Sequence, residues 1–176
     1  MTGNRPSKIS RLPINLKMVM KYFLLFLVFF GMSLIAAAQT PVEKIPNFLF
    51  YQLNKSPFTN RDIQSGKKTF FVFFDSDCDH CQRAVHDINL HYPEFKRAEI
   101  CLVTLDNVIK IKDFLNRYGP KLINKRNVIV LQDLRNEFIA DFSPRKYPSM
   151  LLFSPKGNLL MYQDDPEKMP QILKQL

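Results

Sequence analysis

The chain has 176 residues, 46% hydrophobic and 23% charged, with three cysteines, a balance that fits one globular domain and excludes a collagen, a coiled coil or a disordered polymer. Its net charge of +9 divides unevenly: residues 1–38 carry five basic and no acidic residues, leaving twenty basic against sixteen acidic in the remainder, a net of +4. That remainder is an ordinary surface with no interleaving of basic and aromatic residues, so nucleic acid is not expected as a partner.

From Tyr22 to Ala38 the run YFLLFLVFFGMSLIAAA is uncharged, follows a basic stretch, and ends in small residues that satisfy the A-x-A cleavage rule at Ala36 and Ala38. Residues 1–38 therefore read as a secretory signal peptide, with Met18 or Met20, immediately before Lys21, as alternative starts. The 17-residue run is at the short limit for a bilayer span, so an uncleaved membrane anchor is the competing reading. The protein is expected to be exported to the periplasm or another extracytoplasmic space. Three cysteines are too few for a disulfide-stapled scaffold, and two of them stand as Cys78-x-x-Cys81.

Residues 39–46, bracketed by Pro41 and Pro46, read as a linker, and residues 47–176 as the domain. Asn47–Leu53 is apolar enough for a first strand, and Ser56–Gly66 supplies turn residues. Thr69–Asp75 (TFFVFFD) is aromatic and β-branched almost throughout, the pattern of a strand buried on both faces, and is placed in the middle of the sheet. Cys78–Phe95 has the apolar spacing of one helical face, Glu99–Leu105 is the next strand, and Val108–Tyr118 is a helix stopped by Gly119 and Pro120. Asn127–Leu131 predicts a strand and Leu134–Phe142 a short helix. Ser149–Phe153 and Leu159–Tyr162 form a hairpin around Pro155–Asn158, with Gly157 at the position that needs positive φ. Pro166–Leu176 is the last helix. The alternation of strand and helix predicts parallel strands with helices on both faces, and the closing hairpin adds an antiparallel pair, giving an α/β fold on a central mixed sheet.

Cys78, Asp79, His80 and Cys81 fall where the buried strand gives way to a helix. Unpaired backbone N–H groups and the helix dipole at such a junction stabilise an anion, lowering a thiol pKa from about 8.5 toward the range of roughly 3.5–7.5. Cys78 is the expected nucleophile. Cys81, one helical turn on, is the thiol that resolves a mixed disulfide. Cys101, within EICLVTL, reads as a small buried hydrophobe, and His86 and His91 as helix-surface residues.

FFVFFDSDCDHC, the order of elements, and KYPSMLLFSPKGNLL together resemble the thioredoxin superfamily, in particular the exported TlpA/ResA-like redoxins, over nearly all of residues 47–176. The resemblance implies a thioredoxin-like fold and a thiol-disulfide oxidoreductase without organic cofactor or metal. It implies a monomer that acts on protein thiols and disulfides and is served by a redox partner protein. It makes Pro148 the family's cis-proline, with Tyr147 beside it, where the substrate chain binds. It also sets His80 before the second cysteine, as in strongly oxidising members that resemble DsbA. Two departures matter. Asp77 stands where these proteins usually carry Trp, and Val72 where many carry an acid, so the buried proton acceptor is missing or supplied elsewhere. Asp75, Asp77 and Asp79 oppose His80, since like charge raises a thiol pKa, which leaves the direction of electron flow open.

Two other classes compete. A Sco-like copper-binding chaperone would use Cys78, Cys81 and a histidine, because thiolate and imidazole suit copper, but the cysteine spacing is one residue short and Asp141–Phe153 has no histidine. A non-catalytic thioredoxin-fold binding module gives no reason for two cysteines at redox spacing. A peroxiredoxin-type peroxidase would need Thr and Pro ahead of the cysteine, and Phe74–Asp77 has neither.

Overall fold

The computed structural model describes residues 42–176, together with Lys17, Met20 and Lys21, which are helical and exposed. The rest of the expected signal peptide and the first linker residues lie outside these residues. The chain forms β1 (Leu49–Gln52), β2 (Pro57–Thr59), β3 (Lys68–Phe73), α1 (Asp79–Leu90), β4 (Ala98–Thr104), α2 (Val108–Tyr118), β5 (Val128–Gln132), α3 (Glu137–Phe142), β6 (Ser149–Phe153), β7 (Leu159–Gln163) and α4 (Met169–Leu173). One sheet runs in the order β2-β1-β5-β4-β3-β6-β7. β3, β4 and β5 are parallel and the other pairs antiparallel. Among the described residues no helix is long and apolar enough to cross a membrane.

The period of two in β3 divides its aromatic side chains between the two faces of the sheet. Phe70 and Val72 join a cluster with Val85, Ile88, Leu102 and Met150 under α1, α2 and α4. Phe71 and Phe73 join Val103, Phe138 and Phe142 under α3. Burying each such phenylalanine is favourable by about 1.5–3 kcal/mol, and the rings interlock: Phe138 stacks on Phe73 at 4.4 Å and on Phe142 at 4.2 Å. β3 is thus buried as its composition requires, but the middle of the sheet belongs to β4, whose seven residues are all buried.

Further differences from the sequence pattern have local causes. The Ser56–Gly66 segment contains β2, which one buried aromatic pairing, Phe50 opposite Phe58, holds against β1. The helix expected to reach Phe95 ends at Leu90 and continues as a 3₁₀ turn, Tyr92–Arg97, because Pro93 has no N–H to continue an α-helical ladder. Helix α3 starts at Glu137 rather than Leu134, since the Asp133 carboxylate accepts from the N–H groups of Glu137 (3.0 Å) and Phe138 (2.8 Å) and so defines the helix start. The C-terminal segment likewise divides into a 3₁₀ turn, Pro166–Lys168, and α4. At the other end of the domain, Leu159 N–H donates to Glu43 O (2.8 Å) and Ile45 N–H to Gly157 O (2.9 Å), tying residues 43–45 to the β6–β7 turn.

Candidate active site

Past β3, Phe74 N–H still donates to Val103 O at 3.0 Å, and then Asp75, Ser76 and Asp77 leave the sheet. Two bonds shape this loop: Asp77 N–H donates to Asp75 Oδ1 (2.8 Å) and Cys78 N–H to Asp75 O (3.2 Å). Ser76 N–H donates to Asp106 Oδ2 at 2.9 Å, which fastens the loop after β3 to the loop after β4. Cys78 is the N-cap of α1 with extended φ, and no side chain caps the first turn. A negative sulfur at this position meets unpaired N–H groups and the positive end of the helix.

The two cysteines are free thiols in unlike surroundings. Cys78 is half-buried, while Cys81 has no exposed surface and lies in the cluster with Phe74 and Val85. Burial pushes the Cys81 thiol up; the Asp75 N–H opposes this, while the contact with the Cys78 sulfur and the charge of Asp75 add to it. The proton is therefore held on Cys81, and the accessible sulfur is Cys78. Cys101 sits in the middle of β4 on the opposite face of the sheet, in the cluster with Phe71 and Phe73. Burial, reinforced by Glu99, raises its thiol well above the ordinary value.

Lys110, the third residue of α2, sets its Nζ 2.6 Å from Asp77 Oδ2. The hydrogen bond and charge of Asp77 raise the lysine pKa. This cation was invisible in the sequence, because it lies 33 residues from its partner, and only the packing of α2 beside the loop joins them. His80 and Asp79 are exposed. His80 borders an open depression of about 550 Å³ with Arg83, His86 and Tyr118.

Tyr147 and Pro148 arrive from β6. The register of β6 sets Ser149 beside Phe73, so the two residues before it lie level with the C-terminal end of β3, beyond which Cys78 follows. The Tyr147–Pro148 peptide bond is cis. The half-buried Tyr147 ring packs on Phe73 at 4.8 Å, and its hydroxyl is pushed up to about 12, first by burial and then by Asp75, Cys81, Asp106 and Asp133. Ser149 Oγ, 2.8 Å from Tyr162 Oη, and Arg145 N–H, which donates to the same oxygen at 2.9 Å, pin the loop. Among the described residues no three His, Cys, Asp or Glu side chains are grouped to hold a metal ion.

The model of the AhpC/TSA family matches residues 41–161. The thiol-disulfide oxidoreductase ResA of Bacillus thuringiensis (strain Al Hakam) is 29% identical over 94 residues, covering 50% of this chain and 54% of that protein; the chain thus spans about half the length of this curated relative. Among solved structures, a thiol-disulfide oxidoreductase from Bacteroides fragilis NCTC 9343 superposes with a TM-score of 0.61 at 17% identity, covering 76% of this chain and 98% of that one. A secreted Mycobacterium tuberculosis disulfide oxidoreductase homologous to E. coli DsbE gives 0.60 at 14% identity, covering 73% and 96%. The fold is thioredoxin-like.

Proposed function

The chain belongs to the AhpC/TSA family, and from that premise we propose that it is an exported thiol-disulfide oxidoreductase working through Cys78 and Cys81. The observation that carries the reading is the asymmetry of the pair: Cys78 is reachable at a helix N-terminus, and Cys81 is buried with its proton retained. The Cys78 thiolate attacks a substrate disulfide, forming a mixed disulfide and releasing one substrate thiolate. Cys81 then gives up its proton and attacks Cys78 Sγ, closing the Cys78–Cys81 disulfide and releasing the second thiolate. Two electrons pass to the substrate, and the reverse sequence oxidises a dithiol. Asp75, whose negative charge acts on the Cys81 thiol, takes that proton in place of an acid at Val72.

Tyr147 and Pro148 bind the substrate chain, which their position at the same end of the sheet as Cys78 supports, and His80 tunes the couple. The protein uses no organic cofactor, and its partners are protein thiols and disulfides with a separate redox protein. Residues 1–38 are the signal peptide, and N-terminal sequencing of exported protein should find Gln39 first. The activity test is insulin reduction with trapping: Cys78→Ser should abolish turnover, and Cys81→Ser should accumulate mixed disulfides. Equal trapping by both variants would refute the division of roles.

A further inference from the structure

The sheet leaves part of an interior strand with a neighbour on one side only. β4 pairs along all of β5, from Ile100↔Val128 to Thr104↔Gln132, whereas β1 reaches only Leu131 and Gln132. The cause lies at the end of β1. Lys55 N–H donates to Gln52 O (2.8 Å) and Gln52 N–H to Ser56 O (2.9 Å), so the chain turns back into β2 instead of continuing beside Val130, Ile129 and Val128. Burial follows the same boundary: Val128, Ile129 and Val130 are part-exposed, and Leu131 and Gln132 are buried.

The gap opens into a cavity of about 660 Å³ between β5 and α2. Leu115 and Leu122 form its buried apolar floor. Its charged lining residues are Lys112 and Arg126, both exposed, and no carboxylate lines it among the described residues. Asn54, Asn116 and Asn124 add neutral polar groups at the rim.

An open strand edge is a template for another strand. Val128 N–H already donates to Lys125 O (3.1 Å), so main-chain hydrogen bonds at the Val128 carbonyl and at Val130 would hold the added segment, alternate side chains would enter the cavity, and complementary charge would select the sequence. We propose that Val128–Val130 accepts an extended, acidic segment of a partner polypeptide as an added strand, with apolar side chains in the cavity and carboxylates against Lys112 and Arg126. At about 3.3 Å per residue the three-residue edge spans roughly 10 Å and pairs with about three residues of the added segment. The site is separate from the cysteine pair. Val128 is level with Ile100 and Phe70, toward the N-terminal ends of the parallel strands, while Cys78 lies beyond the C-terminal end of β3.

The test titrates the full reduced chain with two fluorescein-labelled synthetic heptapeptides in which threonine fills every second position and the positions between take valine and glutamate in turn in one, valine and lysine in the other, so that apolar and charged side chains share the cavity face. The readouts are anisotropy and backbone amide exchange. The glutamate peptide should bind, slow exchange at the Val130 amide, and weaken with added salt. The variant carrying Lys112→Glu and Arg126→Glu should bind it at least tenfold more weakly while reducing insulin at the wild-type rate. Equal binding of the two peptides, protection confined to other segments, or protection of this edge by self-association without peptide would overturn the proposal. Loss of insulin reduction in the wild type would count against the redox reading and leave the edge site standing.

Discussion

Lys110 Nζ lies 2.6 Å from Asp77 Oδ2, so the residue directly before Cys78 brings its own counter-ion from α2. Both side chains are largely exposed, at 47% and 76%, and the pair is screened by solvent. Lys110→Met leaves the Asp77 charge beside Cys78 unopposed and should slow alkylation of Cys78 by iodoacetamide at pH 7 by about two- to threefold. Adding Asp77→Asn should restore the rate. Identical rates in Lys110→Met and wild type would make the pair electrostatically silent toward the thiol.

Asp75 acts on Cys81 in two opposing ways. Its negative charge disfavours the Cys81 thiolate, so a purely electrostatic role predicts faster resolution in Asp75→Asn. A proton-accepting role predicts the reverse. We expect release of the second substrate thiol to slow by about a hundredfold, the low end of general-base contributions, with alkylation of Cys78 little changed. Stopped-flow resolution of a preformed mixed disulfide would distinguish the two.

His80 is exposed, which limits its influence on the couple. An imidazole that favours the Cys78 thiolate stabilises the reduced state and makes the disulfide the stronger oxidant. His80→Ala should therefore shift the potential toward more reducing values by on the order of 10–30 mV, where 30 mV corresponds to tenfold in the exchange equilibrium. Equilibration with glutathione buffers measures it, and a shift in the oxidising direction would contradict this role.

Burial raises both Cys81 and Cys101 above the ordinary thiol value of 9.0. Below that value native and unfolded chains both keep these protons. Above it the unfolded chain releases protons that the native state retains, so the stability of the dithiol form is lost as pH rises. Thermal denaturation between pH 8 and 10 should show the fall, and Cys101→Ala should flatten part of it while costing about 1 kcal/mol near neutrality and leaving turnover intact. An undiminished fall in Cys101→Ala would assign the pH dependence to other groups.

Phe138 is fully buried between Phe73 and Phe142, and no polar partner compensates a cavity there. Phe138→Ala should destabilise the domain by about 3–5 kcal/mol in urea denaturation. A loss below about 1 kcal/mol would mean that α3 collapses into the space.

The placement of the cysteine pair was legible in the sequence because its physics is local. A buried aromatic strand followed by Cys78 and Cys81 at helical spacing needs no distant contact to place one thiol at a helix end and the other one turn inside. The alternation of strand and helix likewise predicted the parallel strands, and the turn at Pro155–Asn158 with Gly157 predicted the closing hairpin. Features that depend on residues far apart in the chain were decided by tertiary packing. β1 joins the sheet only because Tyr51 and Gln52 pair with Gln132 and Leu131 of β5. The same reason accounts for the charge balance beside Cys78, which rests on a lysine 33 residues away. It also accounts for the open edge of β5, which exists because the turn at Leu53–Ser56 ends β1 before it can cover Val128–Val130.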